Sequence, residues 1–544
     1  MWDTTLTQLV YSPRPNVNVV APHMLRLLLH APPHSIISAD SGLNPARLLT
    51  LPTPLRTFWT MHYLLDRLQN QTEVAESRST TLAGGKYSDG LLVVSVSGPF
   101  YALLGAFRSL LEVDSIEGQA AAWLFENPGT ASLPLDRKNI FDRFLALVPR
   151  IAGLCAAVVF HTSPEGVLVA PDNFGELVTL VADKTVAAVT DTCDSHPKDD
   201  TPRSSKPRAS VDWEACVRRV MAEPEYLVVC CWRSVRELSA ILGGPLIRCG
   251  CHLSRSKFEQ VSASQWLTVH HLQDIADFFI SQLMMSRHPG AFELTASGFE
   301  NFCDILLSLP KLQVEKWPER WLSIMVADLT GVEVLPPPVC PTTPTGSTSL
   351  ESSADSDAVL LRYLGNNSSK IYCATRRSAG LPFFIQALLV VLHKAHKAPN
   401  LLSTVVSALL TVVQCSSESN IQKTGISSSS ATLSAAERRL HATNVLRFLV
   451  RDATVGPNLS DYLEAILKCA IQGLDSSIWM IRNSSLMLYS TMMERIFGVN
   501  RTRDCESKKN RMSSSVFFAK FPGMRTFLLQ SFEESLQGIR YVVR

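Results

Sequence analysis

Two adjacent arginines precede a turn of small residues in the segment Arg376–Pro382, which reads RRSAGLP. Small residues allow another backbone or a phosphate group to approach closely. Two guanidinium groups beside such a turn could bind phosphates bidentately. The alternative is a structural role, in which one arginine pairs with an Asp or Glu in a turn between helical repeats. We take Arg376, Arg377, Ser378 and Gly380 as candidate binding residues, and both interpretations stay open for Arg377.

The C-terminal part of the chain is its more basic part. Residues 435–544 contain 16 Lys and Arg against 10 Asp and Glu, which gives +6, and the remaining residues contain 35 against 39, which gives −4. This asymmetry suggests an anionic partner near that end, although a solvated helix face and a basic loop would produce the same balance. The further candidate binding residues in this part are Arg482, Arg501, Arg503, Lys508 and Lys509.

These basic residues also have structural interpretations. Residues 501–525 are predicted to form a basic loop, which could follow an RNA backbone or could be a solvated segment without a ligand. Arg482 is predicted to lie early in a helix, shortly after Asp475 in the preceding turn. A structural pairing with that carboxylate is the stronger interpretation of Arg482.

The sequence lacks the motifs of common catalytic sites. No G-x-G-x-x-G occurs, and no βαβ pattern is present that would hold a methyl-donor cofactor. His270 and His271 are adjacent rather than four residues apart, so they cannot chelate one metal ion from a helix face. The thirteen cysteines show no zinc-ligand spacing and are predicted to be free thiols. We therefore assign no catalytic residue, no metal and no cofactor to this chain.

Apolar periodicity predicts an all-α fold. The clearest helix pair covers about Ser460–Gln472 and Ser477–Phe497, with Gly473 and Gly498 as the two stops. The second helix has two apolar stripes, and a helix that is apolar on two faces must be covered on two sides. This is the situation of an inner helix in a HEAT/armadillo-type α-solenoid. Trp479, on the second stripe, is accordingly predicted to be a core residue.

Composition divides the chain into four parts. Residues 1–191 form an N-terminal helical region, and 192–210 form a polar, proline-containing linker. Residues 211–500 form a helical-repeat region with two low-complexity inserts at 336–357 and 416–434, which are predicted to be disordered. Residues 501–544 contain the basic loop and the start of further helical repeats.

Five segments resemble one protein family. They are Cys230–Glu237 (CCWRSVRE), Ser286–Glu293 (SRHPGAFE), Cys373–Pro382 (CATRRSAGLP), Ile478–Ser484 (IWMIRNS) and Arg495–Val499 (RIFGV). They resemble the THADA family, whose characteristic region is the DUF2428 domain, and the decapeptide at Cys373 is the most specific match. Family members are much longer, so the resemblance implies that this chain is part of a longer solenoid.

The resemblance implies a function as well as a fold. Members of the family are non-catalytic regulators of tRNA ribose 2′-O-methylation. The implied target is the ribose of nucleotide 32 in the anticodon loop, and the implied partners are tRNA and an FtsJ-type methyltransferase that carries S-adenosylmethionine. The rival hypothesis is a general solenoid adaptor that binds proteins and makes no RNA contact. Binding to tRNA that weakens steeply with salt would distinguish the first hypothesis from the second.

The sequence also suggests a cellular compartment. The chain opens with Met1-Trp2-Asp3, without the basic stretch of a secretory signal. Phe144–Phe160 is the most membrane-like segment, but Pro149 and Arg150 lie near its middle. It is also short for a membrane span of ~20 residues, so we predict a buried helix. We expect a cytosolic or nuclear protein with no membrane partner.

Overall fold

The structure is a computed structural model that describes eleven stretches of the chain. They are residues 12–30, 53–77, 89–111, 137–161, 225–251, 268–309, 312–331, 357–364, 373–414, 433–498 and 512–542, with short gaps at 13, 313, 358–359, 374–375 and 397–399. Every regular element within these stretches is a helix, and none is a strand. The prediction of an all-α fold is confirmed to this extent.

The described α-helices are numbered here in chain order. They are α1 (Pro15–Asn18), α2 (Val20–His30), α3 (Thr53–Ser77), α4 (Asp89–Ser97), α5 (Phe100–Leu111), α6 (Arg137–Val159), α7 (Glu225–Leu242), α8 (Pro245–Cys251), α9 (Val269–Met285), α10 (Pro289–Leu307), α11 (Trp317–Thr330), α12 (Leu381–Lys394), α13 (Leu401–Gln414), α14 (Ala435–Arg451), α15 (Leu463–Gly473), α16 (Trp479–Phe497), α17 (Ser514–Lys520) and α18 (Pro522–Val542). They form two compact units, residues 1–302 and 303–544.

In the first unit, α7 is the helix around which its neighbours pack. It contacts α4, α5 and α6, and its Cys230 and Cys231 are fully buried. Glu237 of α7 pairs with Arg108 of α5 at 3.1 Å, which places the carboxylate at the margin of this core. Stacked rings of Phe107 and Phe144, 5.0 Å apart, join α5 to α6. Long apolar helices thus build this unit by mutual burial of their side chains.

Small residues bring α7 and α10 into close contact. A Cβ atom placed on Gly243 would lie 2.5 Å from the carbonyl oxygen of Gly298, so both positions require glycine. The hydroxyls of Ser239 and Thr295 form a buried hydrogen bond of 2.9 Å at the same contact. Backbones at this distance leave no room for larger side chains.

Two of the family-like segments of the first unit meet in space. The indole of Trp232 stacks on the imidazole of His288, with centroids 5.4 Å apart. Gly290 lies beside them, because a Cβ there would come within 3.0 Å of the Trp232 ring. Arg233 lies over the same indole at 5.1 Å. The segments at Cys230 and Ser286 therefore share one half-buried aromatic contact.

Hydropathy does not single out a membrane helix. Within the described stretches no single helix is both long and apolar enough to cross a membrane. One pair bent by 57°, Gly90–Ser97 with Phe100–Leu111, passes that test only when its two helices are combined. Most of the apolar side chains of this pair are buried against the rest of the first unit.

In the second unit, α14 is the inner helix. It starts with a capping box: Ser434 Oγ accepts the N–H of Glu437 at 3.2 Å, and the Glu437 carboxylate accepts the N–H of Ser434 at 2.9 Å. It packs against α12, α13 and α16. Its second and third turns are buried on nearly every side, polar residues included.

The helix pair α15–α16 differs from its prediction in four details. Helix α15 begins at Leu463 rather than at Ser460, because Gly456–Tyr462 forms a 3-10 helix before it. Gly473 has no positive φ; it is needed because a Cβ there would lie 2.7 Å from the Cβ of Ser485. Helix α16 begins at Trp479 after the N-cap residue Ile478, which makes no side-chain cap. Trp479 is 66% exposed, so the prediction that it is a core residue is wrong. Gly498 does end α16 with φ 77°, as predicted.

The second apolar stripe of α16, to which Trp479 belongs, is largely exposed. Leu486 is 53% and Phe497 is 43% exposed, although Phe497 stacks on Phe517 of α17. Only the first stripe, with Ile481 and Leu488, is buried against α14 and α15. The apolar periodicity correctly indicated two faces, but α14 rather than α16 is the helix that is covered all round.

Candidate binding site

The RRSAGLP segment forms a left-handed turn. Arg376–Ser378 is one turn of 3-10 type, and three consecutive non-glycine residues have positive φ: Arg377 at 57°, Ser378 at 67° and Ala379 at 46°. Each such residue costs about 1 kcal/mol or more against the right-handed conformation. Gly380 has an ordinary φ of −81° and precedes α12, with Pro382 in the first helical turn. The left-handed conformation is therefore adopted by three non-glycine residues and not by Gly380. Contacts with surrounding residues must hold this strained turn in place.

Ser378 is the anchor of this turn. Its side chain is buried, and its Oγ accepts a hydrogen bond from Asn444 Nδ2 at 2.9 Å. His441 Nδ1 lies 2.8 Å from the same oxygen. Because Asn444 donates to Oγ, the Ser378 hydroxyl hydrogen is available to Nδ1 of a neutral imidazole. Two side chains of α14 thus fix a turn that lies more than sixty residues earlier in the chain.

Burial keeps His441 neutral. Removal from water lowers the pKa of His441 from 6.5 to about 4, and the nearby Glu437 opposes the shift only weakly. An uncharged ring can accept the Ser378 hydroxyl near neutral pH, whereas an imidazolium could not. The geometry of the turn therefore depends on the deprotonated state of His441.

Three arginines lie around the exposed side of the turn. Arg377 and Arg451 are exposed, whereas Arg447 on α14 is only 6% exposed. Burial, followed by the nearby guanidinium groups of Arg377 and Arg451, lowers the pKa of Arg447, and Glu494 of α16 opposes this. Asn444, Arg447 and Arg451 are spaced three and four residues apart, so they follow one face of α14. The arrangement is a cationic cluster directly beside the anchored turn.

The candidate residues of the segment differ in position. Ser378 and Gly380 are buried and make the turn, while Arg377 is exposed and carries its charge outward. The backbone of Arg376 belongs to the turn, but its side chain lies outside the described part of the structure. In its exposed position Arg377 makes no ion pair with an Asp or Glu among the described residues. The exposed charge is compatible with binding an external anion.

Arg482 lies elsewhere and braces a turn. Its Nη1 donates to the carbonyl oxygens of Ser476 at 2.7 Å and Ser477 at 2.9 Å. These carbonyls, rather than the Asp475 carboxylate, are its partners among the residues described. A structural contact was the stronger interpretation of Arg482, but the expected partner was wrong. Its role as a binding residue remains a prediction.

The predicted basic loop 501–525 is wrong over its described part, because Ser514–Lys520 forms α17 and α18 begins at Pro522. The other predicted segments lie outside the described residues, wholly or almost so. Arg501, Arg503, Lys508 and Lys509 lie in the interval 501–511, which the structure does not describe. The linker 192–210 and nearly all of the inserts 336–357 and 416–434 lie outside it as well. At the edges of the inserts, Asp357 pairs with Arg320, and Ser434 caps α14.

Most of this region matches one known protein family. Residues 139–335 and 345–480 match the family described as THADA/TRM732, DUF2428, and residues 482–541 match Trm732, C-terminal TPR repeats. The first match covers more than half of the chain, including the turn and the whole of α14. The chain belongs to the THADA/TRM732 family.

Individual relatives agree with this assignment. The tRNA (32-2′-O)-methyltransferase regulator THADA of Canis lupus familiaris is 29% identical over 494 residues, covering 88% of this chain and 21% of the relative. The protein of that name from Gallus gallus is 34% identical over 309 residues, 57% of this chain and 13% of the relative. The regulator trm732 of Schizosaccharomyces pombe is 24% identical over 310 residues, 57% of this chain and 17% of the relative. The chain spans about a fifth of the length of these THADA/TRM732 proteins.

Catalytic chemistry is not evident at the THADA/TRM732 turn. In the portion of the chain that the structure describes, no group of three His, Cys, Asp or Glu side chains is placed to hold a metal ion. The buried thiols of Cys230 and Cys231 have raised pKa values because of desolvation, which makes them poor nucleophiles. The turn itself offers guanidinium groups, a hydroxyl and a neutral imidazole. This set is suited to binding and positioning.

Sequence reasoning missed the residues of α14 that complete the site. His441, Asn444 and Arg447 stand at intervals of three in the otherwise apolar stretch HATNVLRFLV. A polar stripe on one face of a helix that is apolar elsewhere indicates buried polar contacts, because unpaired polar groups are costly inside a protein. This signal was available, but it does not name the turn at Ser378 as the partner.

Proposed function

We propose that this chain is a non-catalytic regulatory part of a tRNA 2′-O-methylation complex. The target is the ribose of nucleotide 32 in the anticodon loop, the position in the names of the relatives. An FtsJ-type methyltransferase supplies S-adenosylmethionine and the catalytic groups, and this chain binds and orients. Positioning of reactants can lower a barrier by several kcal/mol without a covalent role.

The observation that carries the proposal is the strained turn at Arg377. A chain keeps three left-handed non-glycine residues only where the surroundings enforce them, and such strain clusters at functional sites. Here Arg377 is exposed within the strained turn, while the Ser378 side chain is hydrogen-bonded to α14. The turn lies within residues 345–480, which match the family.

The remaining features of the proposal concern the frame of this site. We propose that the helices stack as a HEAT/armadillo-type α-solenoid, which the match to TPR repeats at 482–541 favours. The boundaries at 191, 210 and 500 stay predictions. The cytosol is the proposed compartment, with the nucleus as the second.

The test replaces the arginines in a full-length context. Changing Arg376 and Arg377 to Ala should abolish or strongly reduce partner-dependent methylation of nucleotide 32, because the outward charge of the turn is lost. Helical content should remain near wild type, since no buried apolar group is removed. The matched control is Arg438→Ala on α14. Arg447 of α14 lies near Arg377, and position 438 is nine residues from Arg447, which places Arg438 on the opposite face of the helix. Full methylation by the double variant would show that the turn is not part of the functional site.

The rival adaptor hypothesis has one observation of its own. The exposed apolar stripe with Trp479 and Leu486 on α16 is typical of a surface that contacts another protein. Titration of tRNA at several salt concentrations decides between the two: phosphate contacts release counterions, so RNA affinity should fall steeply as salt rises. Binding of protein partners with no measurable tRNA affinity would favour the adaptor.

A further inference from the structure

Arg447 is a buried charge without a hydrogen-bonding partner for two of its nitrogens. The residue is 6% exposed, and its Nε and Nη1 have no acceptor within the described part of the chain. The guanidinium carbon lies 5.5 Å from the ring centroid of Phe448, the next residue. A buried cation beside an aromatic face, with two of its nitrogens unbonded, is poorly compensated for its loss of water. Such a group is expected where an anion arrives from outside.

The surroundings of Arg447 supply more positive charge than negative. Arg377 and Arg451 lie near enough to lower its pKa, and Glu494 is the acidic side chain that acts against them. Asp452, next along the chain, is engaged elsewhere: Oδ1 accepts two backbone N–H groups at 2.7 and 2.8 Å, and Oδ2 accepts Gln386 Nε2 at 2.7 Å. Arg447 therefore has two positive neighbours against one negative neighbour, and its surroundings keep a surplus of positive charge.

We propose that Arg447, with Arg377 and Arg451 at its rim, binds one phosphate of an RNA backbone. This inference rests on the proposed function and names the ligand of its site. The exposed arginines meet the phosphate first, and the Arg447 side chain turns away from Phe448 to complete the contact. Several guanidinium groups suit a tetrahedral phosphate, whose oxygens face several directions, better than a planar carboxylate. The anchored turn holds Arg377 in place for this contact.

Because Arg447 is buried, one substitution can distinguish a structural role from a binding role. If the guanidinium serves only structure, replacing it should destabilise the protein. If its function is to bind an anion, an apolar residue of similar length should leave the stability of the free protein unchanged or raise it, because an uncompensated buried charge is removed. Arg447→Met therefore separates stability from binding in a single variant.

The experiment uses the 544-residue chain and an anticodon stem-loop RNA. Titrations by fluorescence anisotropy across a range of salt concentrations compare wild type, Arg447→Met and the control Arg438→Met. We expect Arg447→Met to lose about tenfold or more in affinity, the effect of one charge-assisted hydrogen-bonded contact. Its salt slope should shrink by about one, and its melting temperature should equal or exceed that of wild type. Arg438→Met should bind as wild type does.

Other outcomes overturn the inference or support it. RNA affinity unchanged in Arg447→Met would overturn it, as would loss of the methyltransferase from Arg447→Met with RNA binding intact, since a protein carboxylate would then be the anion. If Arg447→Met fails to fold, Arg447→Lys decides: a folded Lys variant with wild-type affinity would mean that no guanidinium contact exists, and weakened binding supports the proposal. RNA binding that depends on Arg447, in a protein whose methylation ignores Arg377, would leave this site standing and refute the proposed function instead.

Discussion

At the scale of single residues, the site is a contact between a strained turn and a buried polar stripe. Ser378 has a left-handed backbone, and its hydroxyl is held by His441 and Asn444. These contacts offset part of the strain, because each buried hydrogen bond that is made avoids a desolvation cost of about 1–3 kcal/mol. Removing His441 or Asn444 would take away one of the two contacts that hold the Ser378 hydroxyl. The turn is therefore as sensitive to α14 as to its own sequence.

The neutral state of His441 makes the second unit acid-sensitive. Its pKa in the folded chain is about 4, below the ordinary value of 6.5, so the unfolded chain binds the proton more readily. The stabilisation is complete above pH 6.5 and is lost as the pH falls towards 4. The slope is at most about 1.4 kcal/mol per pH unit. We expect the melting temperature to fall between pH 6.5 and 5, a window above the ordinary pKa of carboxyl groups.

The control for this prediction is His441→Gln. The variant should be less stable at pH 7 but should lose much of the pH slope, measured by circular dichroism melts at each pH. His62 in the first unit also has a pKa lowered by burial, so a smaller slope should persist. An unchanged slope in His441→Gln would show that this histidine does not carry the effect.

What the sequence could predict at this scale depends on how local the signal is. The RRSAGLP segment was found because its arginines and small residues are contiguous. His441 and Asn444 were missed because their partner, Ser378, lies more than sixty residues away, and a polar stripe alone does not identify it. Trp479 was assigned to the core because periodicity reports that a face is apolar, and only packing decides whether that face is covered.

At the scale of elements, close packing explains the helix pair α15–α16 better than turn chemistry does. The sequence suggested that Gly473 stops α15 through a positive φ, but the residue is helical and faces Ser485 across the pair. The C-terminal ends of both helices were predicted well, because each coincides with a glycine. The sequence did not predict why residue 473 must be glycine, because the residue that requires it, Ser485, lies on the neighbouring helix.

Gly473→Ala tests this packing. The added Cβ would fall 2.7 Å from the Ser485 Cβ and closer still to its hydroxyl, so we expect a loss of about 1–3 kcal/mol in the free energy of unfolding. Ser485→Gly alone should cost about 0.5 kcal/mol through helix propensity. The double variant should lose clearly less than the sum of the two, measured by urea unfolding as a double-mutant cycle.

A second glycine provides the matched control. Gly153 is exposed on α6, and a Cβ there would meet nothing within 4 Å. Gly153→Ala should therefore stabilise by about 0.5–1 kcal/mol, because only helix propensity changes. If Gly473→Ala were equally stabilising, the close approach of α15 and α16 would be wrong.

At the scale of the whole molecule, apolar side chains are divided between two cores and several exposed stripes. Trp317 and Trp321 are buried in the second unit, whereas Trp479 on α16 and Phe532 on α18 are exposed by 66% and 65%. Composition and periodicity predicted the helical class of this molecule. They could not predict which stripes are covered, because this depends on the surfaces that α16 and α18 meet. Exposed tryptophan in such a stripe is suited to contact with another macromolecule.

The last prediction compares the two kinds of tryptophan in one chain. Trp321→Ala should cost about 3–5 kcal/mol, because a fully buried indole is lost and a cavity remains. Trp479→Ala should change the free energy of unfolding by no more than about 0.5 kcal/mol, since most of its surface is already in water. Urea unfolding followed by circular dichroism measures both without relying on the fluorescence of the residue removed. Equal losses would mean that Trp479 is covered in solution, and the stripe on α16 would then belong to the core after all.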